Sequence, residues 1–328
     1  YQSKIYPMDK NQYKCGDVVF IIPTKDRPEK ITNVLTSLAN QTESCGRVIV
    51  VASGINIRNI VLKFVDRLNI EYYHCDIPGQ IRQRNLGILK LNCKTKLVGF
   101  IDDDIIFKSD ALEKLINFWN TKATNTAGIG FNIIDEKQPN NSVLKMVFRN
   151  VIAPGHVYQS GYNSSIAGIT NSISTKWLNG GTTIWRQDIL TKYKHQIINS
   201  TWAICEDLIF SYPIGKSYPL YLCAEACVLH DHVINPSAAG LYHKLRGKSW
   251  ALWHLYFVQI NKDLSLISYI FMIILITILG LFIGICSFKR RYYLKYVFGI
   301  ISGAIVGIMT IFQQKDLKIL LENINIQP

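Results

Sequence analysis

The sequence predicts an α/β globular part on a mostly parallel sheet, followed by an apolar, membrane-associated tail. Three observations carry this. Short β-rich apolar runs alternate with segments of helical spacing through the first hundred residues. One of these runs, Leu97-Val-Gly-Phe-Ile101, ends in three consecutive aspartates, Asp102, Asp103 and Asp104. Leu264–Phe288 is almost continuously apolar and holds no charged residue. Alternating strands and helices build crossover units around a parallel sheet, and an uncharged run of that length is long enough to span a bilayer.

In chain order, Val18-Val-Phe-Ile-Ile22 reads as a first strand closed by Pro23. Glu29–Gln41 places Ile31, Val34, Leu35 and Leu38 on one helical face. Val48–Val51 is a second strand and Ile57–Leu68 a second helix. Ile70–Tyr73 is a third strand, Gln80–Leu91 a third helix, and Leu97–Ile101 the fourth strand. A helix over Ala111–Trp119 follows, with Ser109 or Asp110 placed to cap it. Ala127–Ile134 and Thr182–Trp185 have strand composition, and Ala226–Leu229 is a further apolar run. The Asn-, Ser- and Gly-rich stretch Gln138–Ser172 reads as loops.

The aspartates set the chemistry. Open α/β sheets bind ligands at the C-terminal ends of their strands. Adjoining carboxylates there repel one another and are stabilised by a cation, and hard oxygen ligands suit Mg²⁺ or Mn²⁺. Mg²⁺ keeps several waters and shares its shell with substrate phosphates, which points to a metal–diphosphate site. The plain structural alternative is a solvated acidic turn ahead of a helix.

At 328 residues and 48% hydrophobic, the chain can bury a large core. Its net charge of +13 and isoelectric point near 9.3 ask for an anionic partner. There is no zinc-finger, RNA-recognition or helix-turn-helix pattern, so nucleic acid is not expected. Anionic lipids or a phosphorylated substrate account for the charge instead. The eight cysteines are scattered. Cys223 and Cys227 alone are close, which is weak evidence for zinc, and free thiols are expected. Asn163 and Asn199 fall in glycosylation sequons, which carry no weight without secretion.

Five segments then come together in order: Pro23-Thr-Lys-Asp-Arg-Pro28, Gly79-Gln-Ile-Arg-Gln-Arg-Asn-Leu-Gly87, Phe100-Ile-Asp-Asp-Asp-Ile105, Leu178-Asn-Gly-Gly-Thr182 and Cys205-Glu-Asp-Leu208. In this order and spacing they resemble the family 2 glycosyltransferases, which have the GT-A fold. The resemblance covers about residues 17–258. It implies that Thr24, Asp26 and Arg27 hold the nucleoside of a nucleotide-sugar, and that Arg84 and Asn85 meet the nucleotide and its diphosphate. Asp102 and Asp104 match the family's D-x-D, with the last aspartate on Mg²⁺ or Mn²⁺ and Asp102 and Asp103 holding ribose and metal water. Asn179, Gly180 and Gly181 match a loop beside the donor sugar. Asp207 falls at the general base, with Glu206 supporting it. A histidine of His230-Asp-His232 reaches the metal or diphosphate, and His232 is preferred over His230.

Each position also has a plain structural reading. Thr24 or Asp26 could cap a helix that starts at Pro28, Arg84 could be a surface arginine, and Glu206 and Asp207 could complement a helix N-terminus. The glycines could form a tight turn, and the histidine could be a structural hydrogen-bonder. One departure stands out. The second strand of these enzymes commonly ends in an aspartate that contacts the base, and here Ala52 and Ser53 stand there.

The activity implied is an inverting, metal-dependent transfer of sugar from a nucleotide-sugar to a hydroxyl of a glycan or lipid-linked acceptor. A polyprenyl-phosphate glycosyltransferase and a non-catalytic sugar-nucleotide-binding scaffold are the alternatives. On this reading residues 1–16 are an N-terminal extension, 17–258 the catalytic domain and 259–328 a membrane region. Leu264–Phe288 is the expected transmembrane helix, and Tyr296–Phe312, with Gly299, Gly303 and Gly307, a second apolar segment suited to close helix packing. Trp250, Trp253, Tyr256 and Phe257 suit an interfacial belt, and Arg246 a phosphate or a lipid headgroup. Tyr1–Asp17 holds no apolar leader, which favours a catalytic domain on the cytoplasmic face. Two full spans would then put Lys289–Lys295 outside, against the positive-inside rule, so the second segment is not expected to cross fully.

Overall fold

The computed structural model describes residues 12–135, 153–198, 204–231, 240–286 and 292–324. Most of the expected N-terminal extension, much of the Gln138–Ser172 stretch, the Asn199 sequon, His232 and Lys289–Arg291 lie outside the described residues. Two compact units are present. One comprises Tyr1–Gly155, Ser165–His195 and Phe210–His232; the other comprises His156–Ser164, Gln196–Ile209 and Val233–Pro328.

The first unit holds the sheet. After a helical turn at Cys15–Asp17, the elements are β1 (Val18–Lys25), α1 (Pro28–Ala39), β2 (Arg47–Ser53), α2 (Arg58–Val61), β3 (Ile70–His74), α3 (Gln80–Leu89), β4 (Leu97–Ile101), β5 (Ile105–Phe107), α4 (Ala111–Asn120), β6 (Gly128–Ile133), β7 (Ile173–Thr175), β8 (Thr182–Arg186), α5 (Gln187–Lys192), α6 (Glu206–Ser217) and β9 (Leu220–His230). The strands lie in the order β3-β2-β1-β4-β8-β6-β9-β5, with β7 on β9. Helix α6 starts in the second unit and ends in the first.

The parallel character expected from the first hundred residues holds for β3-β2-β1-β4. β1, β2 and β4 are nearly continuous apolar runs because crossover helices cover both faces, while the edge strand β3, with Glu71 and His74, is only half-buried. In the second half the pairing is mixed: β8 runs antiparallel to β4 and β6, while β6 and β9 are parallel. The core between strands and helices includes Phe20, Phe107 and Phe131 in edge-to-face contact at 5.7 and 5.1 Å.

Several boundaries differ from expectation. β1 runs through Pro23 to Lys25. Its pairing with β4 ends at Ile21↔Phe100, so the missing N–H of Pro23 removes no bond on that side. The expected helix over Ile57–Leu68 shortens to α2 and a 3₁₀ turn at Leu62–Phe64. Ile57, Val61, Phe64 and Leu68 still bury on one side, while β-branched Ile60, Val61 and Val65 support a long helix weakly. Asp110 precedes α4 but makes no side-chain cap; its carboxylate pairs with Lys114 at 2.7 Å. All eight cysteines are free thiols.

The second unit includes α7 (Gly240–Ile260), α8 (Leu266–Cys286), α9 (Tyr292–Phe312) and α10 (Leu317–Glu322), the last capped by Asp316 accepting from the Lys318 N–H at 2.8 Å. Among the described residues, α8 and the Tyr293–Phe312 part of α9 are long and apolar enough to cross a membrane. The glycines do permit close packing: Gly299 and Gly303 of α9 lie against the carbonyls of Lys244 and Lys248 on α7, where a Cβ would overlap them. The aromatic belt is not an outward one. Trp253, Tyr256 and Phe257 are buried, with Phe257 against Gly161 and the Tyr256 hydroxyl donating to Gln196 Oε1 at 3.2 Å.

Candidate active site

The strand ends of the first unit gather the predicted carboxylates with four further elements. β4 stops at Ile101, and the turn that follows presents Asp102, Asp103 and Asp104 in different directions. Asp102 accepts from Arg84 Nη2 at 2.8 Å and from Gln80 Nε2 at 2.5 Å, both on α3. Asp103 is buried and accepts from Thr24 Oγ1 at 2.6 Å and from Arg27 Nη1 at 3.0 Å. Asp104 lies 3.3 Å from the same Arg27 nitrogen and 3.3 Å from His230 Nε2.

This network fixes the electrostatics. Burial pushes the Asp103 carboxyl above its ordinary range, against the opposing pull of Thr24 and Arg27. Burial acts the same way on Asp104, but the hydrogen bond and charge of His230, with the Arg27 charge, outweigh it and hold that carboxyl below the usual range. Three neighbouring carboxylates are thus kept together by two arginines, a hydroxyl and an imidazole.

Arg84 is no surface arginine: only 1% of its surface is exposed. Its guanidinium lies over the Phe100 ring, 5.8 Å from the centroid. The His195 ring meets Phe100 edge-on at 5.3 Å and stacks on Phe210 at 3.7 Å. Burial, with the Arg84 charge beside it, drives His195 well below its ordinary value and keeps it neutral. Asn85 is half-buried on another face of α3.

The end of β1 next to β2 carries a further carboxylate. Asp26 adopts a left-handed backbone with φ of 55°. It accepts from the Ile55 N–H at 2.8 Å and pairs with Lys25 at 3.0 Å, which together hold its carboxyl below the usual range. A Cβ at Gly54, itself at φ of 77°, would overlap that carboxylate. Asp26, from the end of β1, is thus seated against Gly54 beyond the end of β2. Gln83 is buried and donates to the carbonyls of Thr24 and Val51, both at 2.7 Å, tying the ends of β1 and β2 together.

The loop Asn179-Gly180-Gly181 leads into β8. The Gly181 carbonyl accepts from the Asp102 N–H at 2.9 Å, and a Cβ at Gly181 would overlap the Asp102 carboxylate. Ser211 on α6 fixes the loop's start, its hydroxyl accepting from the Leu178 N–H at 3.0 Å. Sequence reasoning passed over Ser211, Gln80 and Gln83, and it passed over Lys30, whose Nζ lies 2.7 Å from the Asp231 carboxylate.

His232, preferred from the sequence, lies outside the described residues. The histidine brought to Asp104 is His230, because β5 and β9 pair with Ile105 opposite His230. The signal was the short apolar Ile105-Ile-Phe107 directly after the aspartates, which the sequence reading left unassigned.

Among the described residues no group of three or more His, Cys, Asp or Glu side chains forms a ready-made metal cage. Asp104 and His230 nevertheless adjoin, and one carboxylate with one imidazole fits a divalent ion whose remaining ligands are diphosphate oxygens and water.

Glu206 and Asp207 open α6 and belong to the second unit. Both are half-buried, and the helix N-terminus favours their negative charge. Just before them Cys205 is buried, its sulfur 3.5 Å from Nδ1 of His254 on α7. Burial raises the thiol far above its ordinary value and lowers His254 to about 4, so both are neutral.

Residues 19–180 match the family model described as glycosyl transferase family 2. No curated protein sequence matches the chain. Among solved structures, the mannosyltransferase PcManGT from Pyrobaculum calidifontis, in complex with GDP-Man and Mn²⁺, superposes with a TM-score of 0.57 at 12% identity, covering 93% of this chain and 91% of that one. Residues 1–349 of S. aureus TarS give 0.51 at 15% identity, covering 91% and 92%. The longer S. aureus TarS structure gives 0.47 at 17% identity, and this chain covers only 43% of it. The likeness in fold extends over nearly the whole described chain.

Proposed function

We propose that this glycosyltransferase, whose residues 19–180 match glycosyl transferase family 2 and whose fold is GT-A-like, moves one sugar from a nucleoside-diphosphate sugar to a hydroxyl of a glycan or lipid-linked acceptor, with inversion. The carrying observation is the chain of contacts Thr24–Asp103–Arg27–Asp104–His230, with Arg84–Asp102 beside it, at the C-terminal ends of β1 and β4. Strand ends of this kind are where open α/β sheets take nucleotides.

Thr24, Asp26 and Arg27 face the nucleoside, and Arg84 with Asn85 orients the nucleotide. Asp102 and Asp103 hold the ribose side, and Asn179, Gly180 and Gly181 border the donor sugar. Arg27 is held between Asp103 and Asp104, so an incoming diphosphate competes for a guanidinium that is already positioned. Asp104 and His230 would hold Mg²⁺ or Mn²⁺, which supplies stabilisation of the leaving diphosphate as its charge grows. The Mn²⁺ and GDP-Man bound by the Pyrobaculum enzyme support a divalent ion and a nucleotide-sugar here. Asp207 removes the proton from the acceptor hydroxyl as it attacks the anomeric carbon, and Glu206 supports it. The basic charge and the apolar helices α8 and α9 support attachment to membrane lipids, with the site on the cytoplasmic face.

A thermal-shift series with UDP-, GDP- and dTDP-sugars, each with and without Mn²⁺ or Mg²⁺, tests the donor half of this reading. One nucleotide class should raise the melting temperature, and only with metal. The anomeric configuration of the transferred sugar, read by NMR, tests the other half. Retention of configuration, or a donor shift indifferent to metal, contradicts the proposal.

A further inference from the structure

Helix α8 is long enough to cross a bilayer, yet its neighbours carry charge at its mid-height. A Cβ at Gly280 would overlap Val297, and one at Gly284 would overlap Leu294, so α8 and α9 run antiparallel in tight contact. In the same way Gly299 lies on the Lys244 carbonyl, Gly303 on the Lys248 carbonyl and Gly307 on Leu252 and Leu255, so α7 runs parallel to α9. Carried across both contacts, Lys244 and Lys248 stand level with the middle of α8, near Ile278 and Ile274. At 1.5 Å per residue that is about 12 Å or more from either end of the helix. Lys244 and Arg246 are exposed and Lys248 is half-buried.

Were α8 to cross the bilayer upright, α7 would place these cations near its midplane, too deep to reach either headgroup layer. Ionised side chains are strongly disfavoured there. The exposure pattern fits another placement. α8 buries Tyr269, Ile273, Gly280 and Gly284 on one face and exposes Ile267, Phe271, Ile274, Ile278, Phe282 and Ile285 on the opposite one. α9 likewise exposes Phe298, Ile305, Met309 and Phe312 along one face, with Lys295 beside it. α8 is apolar on both faces, so it is the depth of the α7 cations that favours a placement along the interface, where their charged ends stand at headgroup level.

We propose that α8 and α9 form a hairpin that lies along one leaflet without crossing it, while Lys244, Arg246, Lys248 and Lys295 meet anionic lipid headgroups. This rests on the membrane attachment proposed above and names its geometry and its lipid. It also removes the charge conflict read from the sequence: a hairpin that does not cross leaves Lys295 at the anionic leaflet instead of beyond the opposite one.

The test uses the full chain in sealed phosphatidylcholine vesicles with and without phosphatidylserine, carrying a protease site inserted between Phe288 and Lys289. Without detergent, the site should be cut in the same molecules whose sheet unit is digested. A site protected in every molecule whose sheet unit is digested overturns the proposal. Because the insertion could disturb the hairpin, Lys244→Gln with Lys248→Gln is the second variant. It should weaken binding to phosphatidylserine vesicles on the order of 30-fold at about 1 kcal/mol per charge near the surface, with phosphatidylcholine binding unchanged. Unchanged binding, or equal loss on both lipids, overturns the headgroup contact. A chain that partitions to neither vesicle fails the attachment reading as well, which separates the two claims.

Discussion

The two units of this chain carry their chemistry in different ways. In the sheet unit it resides in individual polar atoms: Thr24, Arg27, Arg84, three aspartates and His230 meet over distances of 2.6 to 3.3 Å. In the helical unit it resides in shape and phase: glycines that let backbones touch, and apolar faces that differ from their opposite sides only by helical rotation. The first kind of region fails when one functional group is changed. The second fails when volume or register is changed, and its individual polar groups matter where they are buried.

Asp207 offers the largest break in that comparison, since it is one functional group in the part of α6 that belongs to the helical unit. Asp207→Asn should lower the turnover number on the order of 10²–10⁴-fold, the usual worth of a general base, with donor affinity unchanged. Single-turnover kinetics beside a donor titration checks this. Turnover within a few-fold of wild type would return all of the chemistry to the sheet unit.

A smaller effect sharpens the comparison through a buried polar group of the helical unit. His254 is buried beside Cys205 and the Trp250 carbonyl, with its pKa lowered from 6.5 to about 4. The unfolded chain takes up this proton below pH 6.5 and the folded chain only below 4. The contribution is therefore complete above pH 6.5 and is lost as pH falls from 6.5 to 4, by about 3 kcal/mol in all. Thermal unfolding against pH should be less steep across that window in His254→Gln than in the wild type. Equal slopes would mean that His254 is protonated in the folded chain.

Much of the sheet unit was legible in the sequence because its strand ends carry chemistry at fixed offsets. Leu97–Ile101 is the fourth strand to the residue, and Thr24, Arg27 and Arg84, singled out by their motifs, lie in hydrogen-bond contact with the aspartates. What was missed depends on partners far along the chain. β5 is three residues long, and only its pairing with β9 carries His230 to Asp104. β9 itself is hidden because Glu225 interrupts its apolar pattern, where its register with β6 shifts between Phe131 and Asn132. Gln80 and Gln83 lay inside a recognised motif, yet their partners exist only once α3 is docked on the strand ends. In the helical unit, aromatic composition allowed an outward belt at Trp253, Tyr256 and Phe257. Which way a helix faces is set by its neighbours, and here Gly161 lies against Phe257 and Gln196 accepts from the Tyr256 hydroxyl, both contacts far from α7 in the chain.

The most direct measurement of the central claim is a calorimetric titration of the responsive nucleotide-sugar, with Mn²⁺ present, into wild type, Asp104→Ala and Asp207→Asn. The account predicts that Asp104→Ala loses metal-dependent donor binding while Asp207→Asn binds as the wild type does. Equal loss in both variants, or undiminished binding by Asp104→Ala, would contradict a donor site built on the aspartates that follow β4.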